Sequence, residues 1–195
     1  MIDLTDLDVL MVIASNDFRD EEYLEPAEAL ARAKAGVAVA SSSNEVAIGV
    51  NGHRVMPDLT LPEAKVADYA AVIFVGGAGS REFFDDPVAH RIAREAAEQG
   101  KFVCAICIAP SILANAGLLK GKEATCFPSE RENLVAKGAK FVEQGVVRDG
   151  KIITADGPQS ARLFGKAICD ALTEGRPEEP PRELRPEDEG TYEER

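Results

Sequence analysis

The chain has 195 residues, 45% of them hydrophobic and 6% aromatic, with no Trp. That suffices for one domain with a core of Ala, Val, Ile and Leu and is too short for two comfortable ones. A formal net charge of −12 argues against nucleic acid and anionic membrane surfaces as partners, because phosphate binding needs a basic stripe and none is visible.

"DVLMVIAS" (Asp8 to Ser15) is a short continuous apolar run, the pattern of a strand buried on both faces. The polar turn "NDFRDEE" follows, and "YLEPAEALARAKAG" is helical in spacing and closed by Gly36. "VAVAS" reads as a second strand. "HRVMPDLTLPEA", with its prolines, reads as an extended excursion or hairpin outside the core. "YAAVIFVGGAG" is a strand running into a glycine turn, and "DPVAHRIAREAAEQG" a helix closed by Gly100. "KFVCAIC" is the next strand and "PSILANAGLL" the next helix. Short strand candidates "EATCF", "KFVEQ", "VVRDG" and "KIITADG" surround the helix "SERENLVAKGA", and "SARLFGKAICDALTE" closes the domain. Strand and helix alternate throughout, so the fold class is α/β, a mainly parallel sheet with helices on both faces. The domain spans 1–174; the acidic, Pro-rich segment 175–195 is expected to be a flexible tail.

No apolar run approaches the roughly 20 residues of a membrane helix. The opening "MIDLTDLDVLMVIAS" carries acids where a signal peptide carries basic residues, so the expected location is cytoplasmic. Four cysteines at 104, 107, 126 and 169 are few for a disulfide scaffold, and free thiols are the expectation.

In an α/β sheet, functional groups gather at the carboxyl ends of the strands. Ala105-Ile106-Cys107-Ile108-Ala109 fits the small-x-nucleophile-x-small pattern of a nucleophile elbow, in which small residues let strand and helix press together around a sharp turn. Pro110 suits a first helical turn. A helix N-terminus stabilises a thiolate, so Cys107 is expected to be reactive with a lowered pKa rather than an inert buried thiol. Cys104, three residues back on a strand, faces the other way and is assigned to the core, as is Cys169. "VGGAGS" (Val75 to Ser80) offers backbone N–H groups for an oxyanion, or is only a tight turn that needs glycine. Two possible thiols without a nearby His supply too few ligands for zinc; no metal or other cofactor is expected.

"AICIAPSILANAGLLKGKEAT", "VIFVGGAG", "DGKIITADGP" and "NDFRDEEYLEP" together resemble the ThiJ/PfpI superfamily, in order from about Asp8 to Leu172. The resemblance implies a flavodoxin-like three-layer sandwich related to class I glutamine amidotransferases, dimeric or of higher order. Its members include cysteine-dependent hydrolases, glyoxalase or deglycase-type enzymes, chaperones and oxidative-stress sensors. It places Cys107 on the family's nucleophile and Gly76 and Gly77 on its oxyanion turn. Many members carry a glutamate that touches the cysteine; counted back from Pro26, that position is Arg19. The acids Asp17, Asp20, Glu21 and Glu22 would then reach the thiol only after a loop shift, while Arg19 would lower its pKa. Protease-like members have His directly after the cysteine, where this chain has Ile108, which counts against proteolysis. Other members place a His at the position of Cys126 or Phe127. Cys126 is either a resolving thiol for an oxidised Cys107 or a small buried residue.

Two functions follow from the resemblance: a cysteine-dependent hydrolase or glyoxalase/deglycase-type enzyme acting on a small electrophile or its protein adducts, or a non-enzymatic redox sensor or stress/chaperone protein in which an oxidant reversibly modifies Cys107. The family's dimer is expected to use the face near "GAGSREFFDD", where Phe83 and Phe84 look too apolar for water.

Overall fold

The computed structural model describes residues 2–174, so the segment 175–195 lies outside the described residues. Seven strands form one twisted sheet in the order Val146–Asp149, Ile152–Ala155, Phe102–Ile106, Ala71–Phe74, Asp8–Val12, Gly36–Ser41, Leu59–Thr60. Every neighbouring pair is parallel except the first, in which Val146 lies opposite Ala155 in an antiparallel register. The inner strands are nearly continuous apolar runs because helices cover both faces. Leu10, Met11, Ile73, Phe74 and Ile106 are fully buried, each contributing roughly 1.5–3 kcal/mol of apolar burial.

Among the described residues five α-helices carry the outer layers: α1 (Asp20–Arg32), α2 (Pro87–Glu98), α3 (Pro110–Asn115), α4 (Arg131–Ala136) and α5 (Ala161–Thr173). The long helices α1 and α5 pack against each other, while α2 packs against α3 and α3 against α4. Among the described residues no helix is long and apolar enough to cross a membrane. The mainly parallel α/β sheet expected from the alternation of elements, and the flavodoxin-like sandwich that the resemblance implies, are the observed architecture.

Three local expectations change. The Pro-rich excursion contributes to two different sheets: Arg54–Val55 pairs with Ala47–Gly49 in a small three-stranded sheet, while Leu59–Thr60 docks beside Gly36–Ser41 as the last strand of the main sheet. A two-residue strand between prolines is tolerated there because an edge strand needs few N–H donors. Helix α1 begins at Asp20, three residues before the Tyr23 expected from its apolar spacing, and takes Asp20, Glu21 and Glu22 into its first turn. Three acids there complement the positive end of the helix dipole. The earlier start places Glu22, Pro26 and Leu30, four apart, along the buried face of α1. The third change concerns the expected dimer face. Phe83 is buried in this chain's own core, and Phe84 is half-buried against it beneath the Arg81 guanidinium. Phe83 is thus withdrawn from the surface, while Phe84 stays partly exposed.

Candidate active site

The strand Phe102–Ile106 ends at a buried isoleucine, and the chain reverses at Cys107 with φ of 64°. A non-glycine residue in this left-handed region carries strain of order 1–3 kcal/mol. Two backbone hydrogen bonds hold it: Cys107 N–H donates to Ala155 O at 2.9 Å, and Phe127 N–H donates to Cys107 O at 2.7 Å. Ala105 and Ala109 are both fully buried, and α3 starts at Pro110. The elbow expected from these small residues is present.

Cys107 is 8% exposed and opens onto a cavity of about 450 Å³ whose lining includes Arg19, Glu22, Gly77, Arg81, Ile108 and Phe127. Glu22 is completely buried beside the thiol, and neither of its carboxyl oxygens has a well-formed hydrogen bond. Burial is the main reason its pKa is raised to about 7; the approaching Cys107 thiol, the Arg19 charge and the Gly76 N–H only partly oppose this. Burial, and then the Glu22 charge, push the Cys107 thiol up to about 12, against the stabilising N–H groups of Gly77 and Ile108. The carboxyl and the thiol each influence the ionisation of the other.

This geometry corrects two expectations. Arg19 does not take the place of the glutamate; its guanidinium turns to Glu21, with Nε donating at 2.8 Å and a second nitrogen at 3.3 Å. Glu22 stands against Cys107 with no shift of the loop, because the start of α1 at Asp20 turns it inward. The thiol is not lowered either. Burial of the sulfur outweighs a six-residue helix and two N–H groups.

The other candidates fall into place around the pair. Gly76 and Gly77 are required by close approach: a Cβ on Gly76 would meet Glu22 and come within 2.6 Å of Cys107 Cβ, and Gly77 has φ of 97° with the backbone of Asp17 and Arg19 against it. Gly76 N–H points to Glu22 and Gly77 N–H to Cys107, so the two glycines serve different acids. Ile108 contributes its N–H to the sulfur, a role its side chain does not advertise. Asp17 is exposed with φ of 57°. Asp20 is buried but its carboxylate accepts from Asn51 N–H at 2.8 Å and His53 N–H at 2.9 Å, away from the thiol. Phe127 lines the Cys107 cavity, whereas Cys126 lines a separate one with Arg131, Phe141 and Asp156. Burial and the Glu130 charge push the Cys126 thiol to about 12, and all four cysteines are free. His90 is tied to Phe84 O at 2.7 Å, and neither it nor His53 lines the Cys107 cavity.

A sequence model of the DJ-1/PfpI family matches residues 8–171. The chain belongs to that family. A protein of Methanocaldococcus jannaschii is 40% identical over 167 residues, covering 84% of this chain and 82% of its own length. The protein named deglycase PfpI of Pyrococcus furiosus is 30% identical over 149 residues, 76% of this chain and 90% of that protein. Among solved structures, a ThiJ/PfpI domain protein from Brachyspira murdochii superposes with a TM-score of 0.84 at 30% identity, covering 87% of this chain and 97% of that one. The DJ-1/PfpI fold accounts for the elbow and the glycine turn; the proton arrangement is read from this chain's own Glu22, Gly77 and Ile108.

Proposed function

We propose that the protein is a cysteine-dependent enzyme acting on 2-oxoaldehydes, or on the adducts these leave on protein, with Cys107 as nucleophile and Glu22 as the proton carrier. The observation that carries this reading is the buried, under-bonded Glu22 carboxyl against the Cys107 thiol, with a pKa raised to about 7. A general base works best when its pKa lies near the operating pH. The deglycase name of the Pyrococcus furiosus relative supports the substrate class.

The chemistry balances without an added oxidant. As Sγ bonds to the aldehyde carbon, the thiol proton passes to Glu22 and the carbonyl electron pair moves onto oxygen, which takes the proton to give a hemithioacetal. Glu22 then removes the proton from that carbon and returns it to the neighbouring ketone carbon through an enediol. The former aldehyde carbon is oxidised, the ketone carbon is reduced, and a thioester of a 2-hydroxy acid remains. Water cleaves the thioester, releasing the acid and restoring the thiol. The N–H groups of Gly77 and Ile108, aimed at the sulfur, supply the fixed dipoles that stabilise negative charge beside it.

The test is lactate formation from methylglyoxal by the wild type and by Cys107→Ala. Lactate that appears at the same rate from the variant would sink the proposal. The sensor reading is weaker on physical grounds, because a thiol that oxidises readily is exposed and has a lowered pKa, and Cys107 has neither property. Intact mass after mild peroxide separates the two: a rapid oxygen adduct at Cys107 in a protein without turnover would favour the sensor.

A further inference from the structure

Three charged side chains line the Cys107 cavity: Glu22, Arg19 and Arg81. In a chain of net charge −12, two guanidinium groups at one cavity stand against the overall field. They are not equivalent. Arg19 is held by both oxygens of Glu21. Arg81 has only a long ion pair of 3.6 Å, to Glu130 Oε1, and lies 5.7 Å over the Phe84 ring. Glu130 is nearly buried, and its two oxygens already accept from the hydroxyls of Ser111 and Ser129, each at 2.8 Å. Arg81 is therefore oriented by the ring and the carboxylate while its N–H donors make no hydrogen bond among the described residues. Its side chain is 60% exposed, on the turn Ala78–Phe83 that follows directly from Gly77.

We infer that Arg81 is the anchor for an anionic group on the substrate, so that this site takes 2-oxoaldehydes carrying a carboxylate beyond the ketone. The inference rests on the 2-oxoaldehyde reading above. A planar fork with free donors suits a carboxylate in two-point contact. The cavity, about 450 Å³, falls in the range of roughly 300–1,000 Å³ typical of pockets for molecules larger than a three-carbon aldehyde. With the carboxylate on Arg81, the aldehyde end is left to meet Cys107, and the walls formed by Val50, Phe127 and Pro158 cover the apolar stem between them.

The experiment compares 4,5-dioxopentanoate with methylglyoxal as substrates for the wild type, Arg81→Gln and Arg81→Lys. Water adds to the former to give 2-hydroxyglutarate, as it adds to the latter to give lactate. The ratio of kcat/KM values, anionic over neutral, is expected to fall about tenfold or more in Arg81→Gln, the scale of one charge-assisted contact, and to recover in part in Arg81→Lys. A ratio unchanged by Arg81→Gln, with both substrates turned over, overturns the inference and leaves the enzyme reading intact. If neither substrate turns over, the enzyme reading fails, and alkylation of Cys107 decides about Arg81. Iodoacetate and iodoacetamide both form an S–C bond with loss of iodide, and differ in charge. A fall in the iodoacetate-to-iodoacetamide rate ratio in Arg81→Gln supports the anion anchor; an unchanged ratio overturns it.

Discussion

Asp20 and Glu22 lie two residues apart in the first turn of α1, and both are buried. Burial resists ionisation of both, but Asp20 is met by the N–H groups of Asn51 and His53, which hold its carboxyl below the usual value. Glu22 meets a thiol and one N–H without a well-formed hydrogen bond, and its pKa rises to about 7. The same helix turn thus fixes a loop with one acid and keeps the other ready to exchange a proton. The difference lies in the donors and in the depth of burial, which is greater at Glu22.

The largest expected effect separates the two acids by activity. Glu22→Gln keeps the shape and removes the base, and kcat/KM should fall by about 10²–10⁴-fold, measured by the rate of product formation. In the wild type, kcat/KM should rise with pH and level off above about 7 as Glu22 ionises; a flat profile between pH 5.5 and 8.5 would remove Glu22 from the reaction.

Stability should show the next effect, with the opposite sense. The carboxyl of Glu22 titrates near 4.5 when unfolded and at about 7 in the fold, so the unfolded chain loses its proton first and stability declines as pH rises through that window. Glu22→Gln escapes this loss and should be more stable than the wild type at pH 8 by up to about 3 kcal/mol, with the gain fading below pH 4.5, in urea unfolding. Asp20→Ala should instead cost about 1 kcal/mol, because two part-buried N–H groups lose their acceptor. The Asp20 contribution runs the other way with pH: its lowered value means stability present at neutral pH and lost on acidification through the folded value.

The smallest effect belongs to Arg19. Its charge lowers the Glu22 pKa, yet it is partly exposed and paired with Glu21, so Arg19→Ala should raise the midpoint of the activity profile by less than about one unit. A larger shift would give Arg19 a more direct part in the pair than its contacts suggest.

The elbow was legible because it depends on local sterics: small residues at 105 and 109, an apolar strand before them and Pro110 after. The glycine turn was legible for the same reason. The partner of Cys107 was misread by one helical turn. Counting seven residues back from Pro26 reaches Arg19, and counting four reaches Glu22; both spacings return to one face of a helix. The buried series Glu22, Pro26, Leu30 was visible as a pattern, but its reading depended on a helix start at Asp20, and terminal boundaries are weakly encoded in local propensity. The direction of the Cys107 shift depends on how much water the surrounding elements remove, which no local stretch records. The burial of Phe83 was missed for a similar reason, since an apolar pair among acids does not reveal which ring the core takes in. Arg81 gave no signal at all: its role depends on Ser111 and Ser129 occupying Glu130 from distant parts of the chain.

Cys107 holds a backbone conformation, φ of 64°, that glycine or asparagine adopts at lower cost. A library randomised at this one codon and selected for folded yield alone should therefore drift away from cysteine, toward Gly and Asn. Selection for turnover should hold it in place, which makes the residue found at 107 in any descendant of this chain a record of which pressure it lived under.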